Sequence, residues 1–218
     1  MTLVDLSHEI YDHMPRVPVL PEVEISCVFR IADGKPLNSL QLAIPTHAGS
    51  HVDAPYHALD DGKTIEQFPL DAFVGRGAVI PVEHRGGEAI TAAELENSGV
   101  AVERGDILLL RSGWDAYFTS PEYLLHPYLS LDACAWIVER GVKLVALDWI
   151  SPELPHALRA PDFDYPAHRA LLRHDVLIVE NLRNLGAIVD GRWRILALPL
   201  RVRGGDGAHT RVVAEPLP

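Results

Sequence analysis

Four side chains that can bind metals or carry protons lie within residues 44–57, IPTHAGSHVDAPYH: His47, His51, Asp53 and His57. Imidazole nitrogens and carboxylate oxygens are typical ligands of borderline divalent cations such as zinc, manganese or iron, and three of them leave positions open for water. Such clusters are the usual marks of metal or catalytic sites, although four satisfied polar residues in a tight loop remain the structural alternative.

No regular element brings these side chains together. A helix would direct Asp53 away from His47 and His51, and a straight strand would hold the two histidines roughly 13 Å apart. Gly49 adopts a positive φ at little steric cost, so a bend there can return His51 and Asp53 toward His47. We therefore predict a compact loop with His47, His51 and Asp53 as metal ligands, while His57 stays free to take and return protons.

Two residues of a second segment can complete the set of metal ligands. His168 lies in the first turn of a predicted helix, and Glu180 ends the apolar strand that follows, so both can reach the carboxyl edge of the sheet, where open α/β folds hold ligands. With them, Asp53 can bridge two metals about 3.5–4 Å apart. The alternatives are a surface position for His168 and, for Glu180, an ion pair with Arg169, Arg173 or Arg183.

The elements that must position these residues alternate along the chain. Short strands bounded by Pro or Gly are predicted first, and antiparallel pairing is expected there, at residues 22–31, 39–44 and 75–84. Buried strands are then predicted at residues 105–114, 142–150 and 176–181, and the last two strands at residues 192–202 and 210–217. We predict an α/β fold: a layered domain with a strand-rich mixed sheet and few helices, whose crossovers make part of the sheet parallel.

Three helices have recognisable ends. Thr91 and Glu94 form a capping box before the first, and residues 130–141 form the second, between an N-cap serine and a terminal glycine. Asp164 is the predicted N-cap of the third, with Pro166 in its first turn.

Composition limits the partners. The chain has 218 residues, and 19 Lys and Arg against 30 Asp and Glu give a net charge of −11, which repels nucleic acid. No apolar run is long enough to cross a membrane, and the first residues lack a signal-peptide pattern, so we expect a cytoplasmic protein. Cys27 and Cys134 stand alone and are interpreted as reduced. We expect one domain over residues 1–218.

The motif HAGSHVDAPYH resembles H-x-G-T-H-x-D-x-P-x-H, the signature of the metal-dependent cyclase family, which includes bacterial kynurenine formamidases, isatin hydrolases and a dienelactone hydrolase. Five further segments resemble the family in order, covering nearly the whole chain: FPLDAFVGRGAVI, GDILLLRSGW, GVKLVALDWISPE, HRALLRHDVLIVENLRNL and LPLRVRGGDGAHTR. The resemblance implies a swivelling β/β/α fold and a homo-oligomer, a dimer or tetramer. It also implies His57 as the catalytic acid/base, and as metal ligands His47, His51, Asp53, His168 and Glu180.

Three segments depart from the family pattern. Ser50 replaces the signature threonine and keeps the hydroxyl, whereas Leu20 stands where kynurenine formamidases carry a tryptophan, which argues against formylkynurenine as substrate. The family pattern DGSPVR reads DGAHTR at residues 206–211, and His209 there adds a polar group near the pocket or is an exposed loop residue. Isatin hydrolases resemble the first motif equally, but their second metal site is altered, whereas His168 and Glu180 are present here.

These residues predict a hydrolase. One or two zinc or manganese ions would activate water and polarise a carbonyl, and His57 would move the proton to the departing atom. The expected substrate is an amide, formamide, cyclic amide or lactone of a small aromatic molecule, with Tyr56, Trp114 and Trp149 as an aromatic wall or as core. A ring-closing dehydratase and a catalytically silent metal-binding protein are the alternatives. No nucleophile elbow or phosphate loop occurs.

Overall fold

A nine-stranded mixed sheet forms the centre of the computed structural model, which describes residues 2–83 and 85–217. In chain order its strands are β1 Val4–Asp5, β4 His51–Asp53, β5 Val74–Pro81, β7 Ile107–Arg111, β9 Leu144–Leu147, β10 Leu177–Glu180, β11 Trp193–Leu196, β12 Gly207–His209 and β13 Val213–Pro216. Two small sheets pair β2 Glu24–Phe29 with β3 Ser39–Ala43 and β6 Ala89–Ile90 with β8 Tyr128–Leu129. The main sheet uses strands from both ends of the chain, which supports the single domain that we propose for residues 1–218.

The middle of the main sheet is parallel and its flanks are antiparallel. The spatial order is β1-β13-β11-β5-β7-β9-β10-β4-β12, with parallel pairing from β5 through β10. The predicted parallel segment is therefore confirmed. Antiparallel pairing in the first half holds for β2 with β3, but β5 pairs in parallel with β7 because the helical crossover returns the chain in the same direction. The short strands β1 and β12 were not predicted.

Three α-helices occur in the described part of the chain: α1 Ala92–Asn97, α2 Leu131–Arg140 and α3 Pro166–Leu172. The Thr91 and Glu94 capping box precedes α1, and α2 starts after the Ser130 side chain and ends at Gly141 with φ 70°, all as predicted. The predicted Asp164 cap is wrong. Tyr165 occupies the N-cap of α3 with φ 56° and no side-chain hydrogen bond, and the fixed φ of Pro166 begins the helix.

Alternating side chains of the central strands enter two hydrophobic clusters, one on each face of the sheet. Leu108 and Leu110 of β7 pack with residues of all three helices, whereas Ile107 and Leu109 pack with residues from both flanks of the sheet. The second cluster joins β4 and β12 to β11 and β13, so the sheet curls and its two ends share one core. This arrangement confirms the layered β/β/α architecture, with many strands and few helices.

Two single-residue expectations concern the cysteines. Cys27 is exposed and Cys134 is buried, and both are free thiols, as predicted.

None of the helices within residues 2–83 and 85–217 combines the length and the hydropathy that a membrane-crossing helix requires.

Candidate metal centre and active site

Gly49 bends the chain as the sequence predicts. Its φ is 66°, and a Cβ atom there would lie 2.8 Å from Met14 Cε, so only glycine fits without displacing a buried side chain. The predicted compact loop is wrong in its second half, because His51 and Asp53 belong to strand β4. Their side chains share one face of that strand, opposite Val52, which enters the core.

The bend places His47 next to β4. His47 Nδ1 lies 2.8 Å from Asp53 Oδ1. On the strand, His51 Nδ1 donates to the Gly49 carbonyl at 2.7 Å, which turns His51 Nε2 toward Asp53 Oδ1 at 3.2 Å. Ser50 keeps the hydroxyl role of the signature threonine, since its Oγ donates to the Asn181 carbonyl at 2.6 Å and ties the bend to the end of β10.

Strand β10 supplies Glu180. Its cross-strand partner on β4 is His51, and Glu180 Oε2 lies 3.4 Å from His51 Nε2. On the other side, Glu180 Oε1 lies 3.4 Å from Nε2 of His168, a buried residue of the first turn of α3, and that nitrogen is 3.7 Å from Asp53 Oδ2. The ion pairs described for Glu180 involve these histidines and none of the three arginines considered above. The structure thus brings all five predicted ligands together.

Glu153 holds His168 and was not predicted. Its Oε1 accepts hydrogen bonds from the His168 backbone N–H at 2.7 Å and from His168 Nδ1 at 2.9 Å. Glu153 is 1 % exposed, in the loop after β9. Because Nδ1 is engaged, His168 Nε2 is the nitrogen that faces Asp53 and Glu180. The only signal in the sequence was a carboxylate shortly after the apolar strand, in the segment DWISPE.

Asp206 is the second unpredicted residue. It lies in a glycine-rich turn before β12, with Oδ2 2.9 Å from His47 Nε2 and 3.9 Å from His57 Nδ1. The turn can come this close to His47 because residue 207 is a glycine. A Cβ atom at Gly207 would lie 2.9 Å from His47 Cε1. The ring of His57 packs 3.8 Å from that of His47, and its side chain is 29 % exposed. His57 therefore faces both the cluster and the solvent-accessible pocket.

The ionisable side chains of this cluster shift one another's pKa values. Burial lowers the pKa of His51, but the Asp53 and Glu180 carboxylates outweigh burial and raise it to about 10. Burial likewise opposes protonation of His168, yet Asp53, Glu153 and Glu180 raise its pKa well above the ordinary value. Burial raises the pKa of Asp53, whereas the neighbouring imidazoles hold it well below its usual range. Buried negative charge at Asp53 and Glu180 is thus stable only beside positive charge.

The donor set fits a divalent cation. Three buried polar atoms of the cluster have no hydrogen-bond partner among the described residues: His51 Nε2, Asp53 Oδ2 and Glu180 Oε1. Two groups of three ligand atoms, each within 4.8 Å, share Asp53; they are His51, Asp53 and Glu180, and His47, Asp53 and His57. Metal ligands leave such atoms without protein partners, so this geometry suits one or two ions. The second group offers His57 a ligand role as well as the acid/base role predicted above.

A cavity of about 130 Å³ adjoins the cluster. Its walls include the cluster residues His47, His57, His168 and Glu180. The apolar part of the wall consists of Val17, Pro18, Val19, Leu20, Leu124 and Ile150, and the further polar lining residues are His126, Ser151, His156, Arg159 and Tyr165. Leu20 therefore does line the pocket.

Of the two interpretations of Tyr56, Trp114 and Trp149, the core position holds for both tryptophans, and none of the three lines this cavity. Trp114 and Trp149 pack in the core, 7 % and 1 % exposed, and Tyr56 lines a neighbouring cavity beside His57. His209 is also placed differently: it lies on β12 opposite His51, half-buried, and lines a separate cavity with His8. Burial, followed by the charge of His51, lowers the pKa of His209.

Comparison with known proteins agrees with the geometry. Residues 4–154 match the model of the Cyclase family, described as "Putative cyclase". A kynurenine formamidase from Erythrobacter litoralis is 30 % identical over 214 residues, which are 98 % of this chain and 94 % of that protein. Isatin hydrolase A from Ralstonia solanacearum shares the fold, with a TM-score of 0.86 at 23 % identity over 98 % of this chain and 91 % of that one. A structure titled as a potential metal-dependent hydrolase with cyclase activity has a TM-score of 0.80 at 26 % identity over 99 % of both chains. The chain belongs to the Cyclase family.

Proposed function

We propose that this protein is a metal-dependent hydrolase that cleaves an amide, formamide, cyclic amide or lactone bond in a small molecule. The hydrolase class, acting on carbon–nitrogen bonds other than peptide bonds, follows from its full-length similarity to kynurenine formamidases. The observation that carries the proposal is the pair of three-residue groups that share Asp53 beside the pocket. Three buried polar atoms of these groups, His51 Nε2, Asp53 Oδ2 and Glu180 Oε1, lack a hydrogen-bond partner among the described residues, which is costly for the fold and is expected of atoms kept for a ligand.

His47, His51, Asp53, His168 and Glu180 would hold one or two ions, zinc or manganese. When bound, such an ion supplies Lewis-acid polarisation of a carbonyl oxygen and lowers the pKa of water toward about 7. Glu153 keeps the His168 ring in one tautomer, and the Gly49 carbonyl does the same for His51. The chain thus fixes which ring nitrogens are available for coordination.

His57 is the proposed acid/base. It lines the pocket, and Asp206 Oδ2 lies 3.9 Å from its Nδ1 atom, so this carboxylate can orient the ring. His57 would take a proton from the attacking water and return it to the departing nitrogen or oxygen. General acid/base catalysis of this kind contributes roughly 100- to 10,000-fold in rate.

The pocket favours a compact substrate with an apolar body. Leu20, Leu124, Ile150 and Tyr165 are among the lining residues of a cavity of about 130 Å³, a volume that suits a molecule with about one ring. Formylkynurenine is the substrate that the kynurenine formamidase similarity favours, and isatin is the one that the fold similarity favours. Leu20 offers no ring for aromatic stacking, so we infer a small aromatic amide other than formylkynurenine.

Metal analysis combined with a substrate panel tests the proposal. Protein expressed with zinc or manganese should contain one to two equivalents, and should hydrolyse at least one of formanilide, formylkynurenine, isatin and dihydrocoumarin. Metal below roughly a tenth of an equivalent would contradict the metal site, since such sites bind firmly. Bound metal without hydrolysis of any compound would favour a silent binding protein, and water loss with ring closure would identify a dehydratase.

We also infer a homo-oligomer, a dimer or tetramer. The hairpin of β2 and β3 is exposed on both faces, and its apolar residues Val28, Phe29, Leu40 and Leu42 are 46 %, 44 %, 61 % and 52 % exposed. A lone two-stranded hairpin is marginally stable, and clustered exposed apolar residues mark interaction surfaces, so we assign this one to a second copy of the chain. Light scattering should show an oligomer that Leu40→Asp dissociates; a monomeric wild type would refute it.

A further inference from the structure

Arg159 is a cation in the wall of the pocket that the hydrolytic mechanism does not use. It follows the turn His156–Leu158, and its Nε donates to the Leu154 carbonyl at 2.7 Å. The guanidinium carbon lies 4.8 Å from the centre of the Phe163 ring and 5.0 Å from that of Tyr165. One hydrogen bond and two aromatic faces therefore hold the guanidinium in a fixed orientation.

This fixed cation has no anionic partner in the described part of the chain. Its Nη1 and Nη2 atoms make no hydrogen bond or ion pair with the described residues, although Arg159 is half-buried. Glu180 is the only carboxylate among the described residues that line the pocket, and it is engaged with His51 and His168. The free Nη1 and Nη2 atoms of an oriented guanidinium in a pocket wall are available to donate to an anionic ligand.

We propose that Arg159 binds a carboxylate of the substrate, so that the enzyme acts on small amides that carry an anionic group on the side away from the bond that is cleaved. The proposal rests on the hydrolase function proposed above. It makes Arg159 a specificity-determining residue, because the guanidinium fork matches a carboxylate with two parallel hydrogen bonds.

The position of Tyr165 sets the spacing between the two ends of the substrate. Its ring centre lies 5.0 Å from the guanidinium carbon and 6.2 Å from the ring centre of His168. One aromatic ring thus separates the anion site from the metal cluster, and a substrate ring lying along Tyr165 would place a carboxylate at Arg159 and the amide at the cluster.

The charges close to the pocket matter more for an anionic substrate than the overall charge of the chain. With a net charge of −11, the chain as a whole repels anions. Screening limits that repulsion to about 8 Å at physiological ionic strength, so the charges nearest the pocket decide which substrates enter.

A matched pair of substrates tests the proposal. 3-Formamidobenzoate and formanilide differ by one carboxylate, and the ratio of their kcat/KM values measures its recognition. For Arg159→Gln this ratio should fall 10- to 100-fold relative to wild type, the usual value of a charge-assisted bidentate contact. Arg159→Lys should recover part of the ratio, because it keeps the charge without the fork. Arg173→Gln removes an exposed arginine after α3 and serves as the matched control.

A binding measurement separates this proposal from the hydrolase function. Calorimetry on the metal-loaded protein should show that Arg159→Gln weakens benzoate at least tenfold and benzamide little, so that their affinity ratio falls. If wild type hydrolyses neither formamide, the hydrolase function fails for this substrate class and the benzoate result alone decides the anion site. Unchanged ratios in Arg159→Gln, equal to those of Arg173→Gln, would overturn the anion site and leave the hydrolase function standing.

Discussion

Nδ1 of His168 and Oε1 of Glu153 lie 2.9 Å apart, and the same oxygen accepts the His168 backbone N–H at 2.7 Å. The carboxylate thus fixes both the ring and the start of α3. It leaves His168 Nε2 directed at Asp53 and Glu180. In metal sites, carboxylates in this position orient the histidine and increase its basicity.

We expect Glu153→Gln to lower metal affinity 10- to 100-fold, because an amide holds the ring less firmly and carries no charge. Competition with a coloured chelator measures the affinity. Glu139→Gln, an exposed change on α2, is the matched control and should retain wild-type affinity. Equal affinities for both variants would remove Glu153 from the metal site.

The main ligands could be predicted because their signal is local. Four ionisable groups lie within eleven residues of one another around one glycine, and the φ of 66° at Gly49 is the predicted bend. Strand β4 was missed because three residues, buried on both sides between β10 and β12, give too short a pattern to recognise. Its presence is decided by its neighbours in the sheet.

Glu153 and Asp206 could not be assigned from the sequence for a related reason. Each contacts a histidine that is distant in the chain, 15 residues away for Glu153 and 159 for Asp206. Such contacts depend on the curl of the sheet and on the approach permitted by Gly207, and neither leaves a periodic pattern. The misplaced cap at Asp164 is a local error, since Pro166 begins α3 without a side-chain cap.

Glu180→Gln should remove or weaken one of two bound metals while the fold is retained. Glutamine keeps the volume but loses the charge that balances His51 and His168. Metal content should fall by about one equivalent when two are bound, with an unchanged far-ultraviolet circular dichroism spectrum. Wild-type metal content in this variant would exclude Glu180 as a ligand.

His126 should make stability fall in mild acid. It is 3 % exposed, and its Nδ1 donates to the Pro127 carbonyl at 2.9 Å. Burial, followed by the nearby charge of Arg159, lowers its pKa from 6.5 to about 4, although the Pro127 contact and Glu180 oppose this. The unfolded chain takes up a proton below pH 6.5 that the folded chain refuses until about pH 4, so this contribution to stability is present above pH 6.5 and is lost as pH falls.

Urea unfolding of wild type and His126→Gln measures this contribution. The difference in unfolding free energy between them should change by about 2 kcal/mol between pH 7.5 and pH 5, with wild type losing more, because glutamine does not titrate. Other histidines titrate in both proteins and largely cancel in the difference. A difference that is constant with pH would show that His126 is protonated as readily in the folded state as in the unfolded one.

His57→Ala separates proton transfer from metal binding. If His57 is the acid/base, the variant should keep near-native metal content, because the five proposed ligands remain, and should lose roughly 100-fold or more in turnover, about 3 kcal/mol of transition-state stabilisation. Elemental analysis and kcat on the best substrate of the panel provide the two readings. His174→Ala, an exposed change beyond the end of α3, should match wild type in both.

If His57 is a metal ligand instead, metal content and kcat change differently in His57→Ala. In the group formed with His47 and Asp53 it would be a ligand, and metal content would then fall together with activity. The position of Asp206 adds a further distinction: Asp206→Asn should lower kcat less than His57→Ala does, because the His57 imidazole remains. Metal content is measured in the same variant, since Asp206 also lies 2.9 Å from His47 Nε2. If His57→Ala retains wild-type turnover, the proton must move through another group, and Glu180, which also lines the pocket, would be the next candidate to replace.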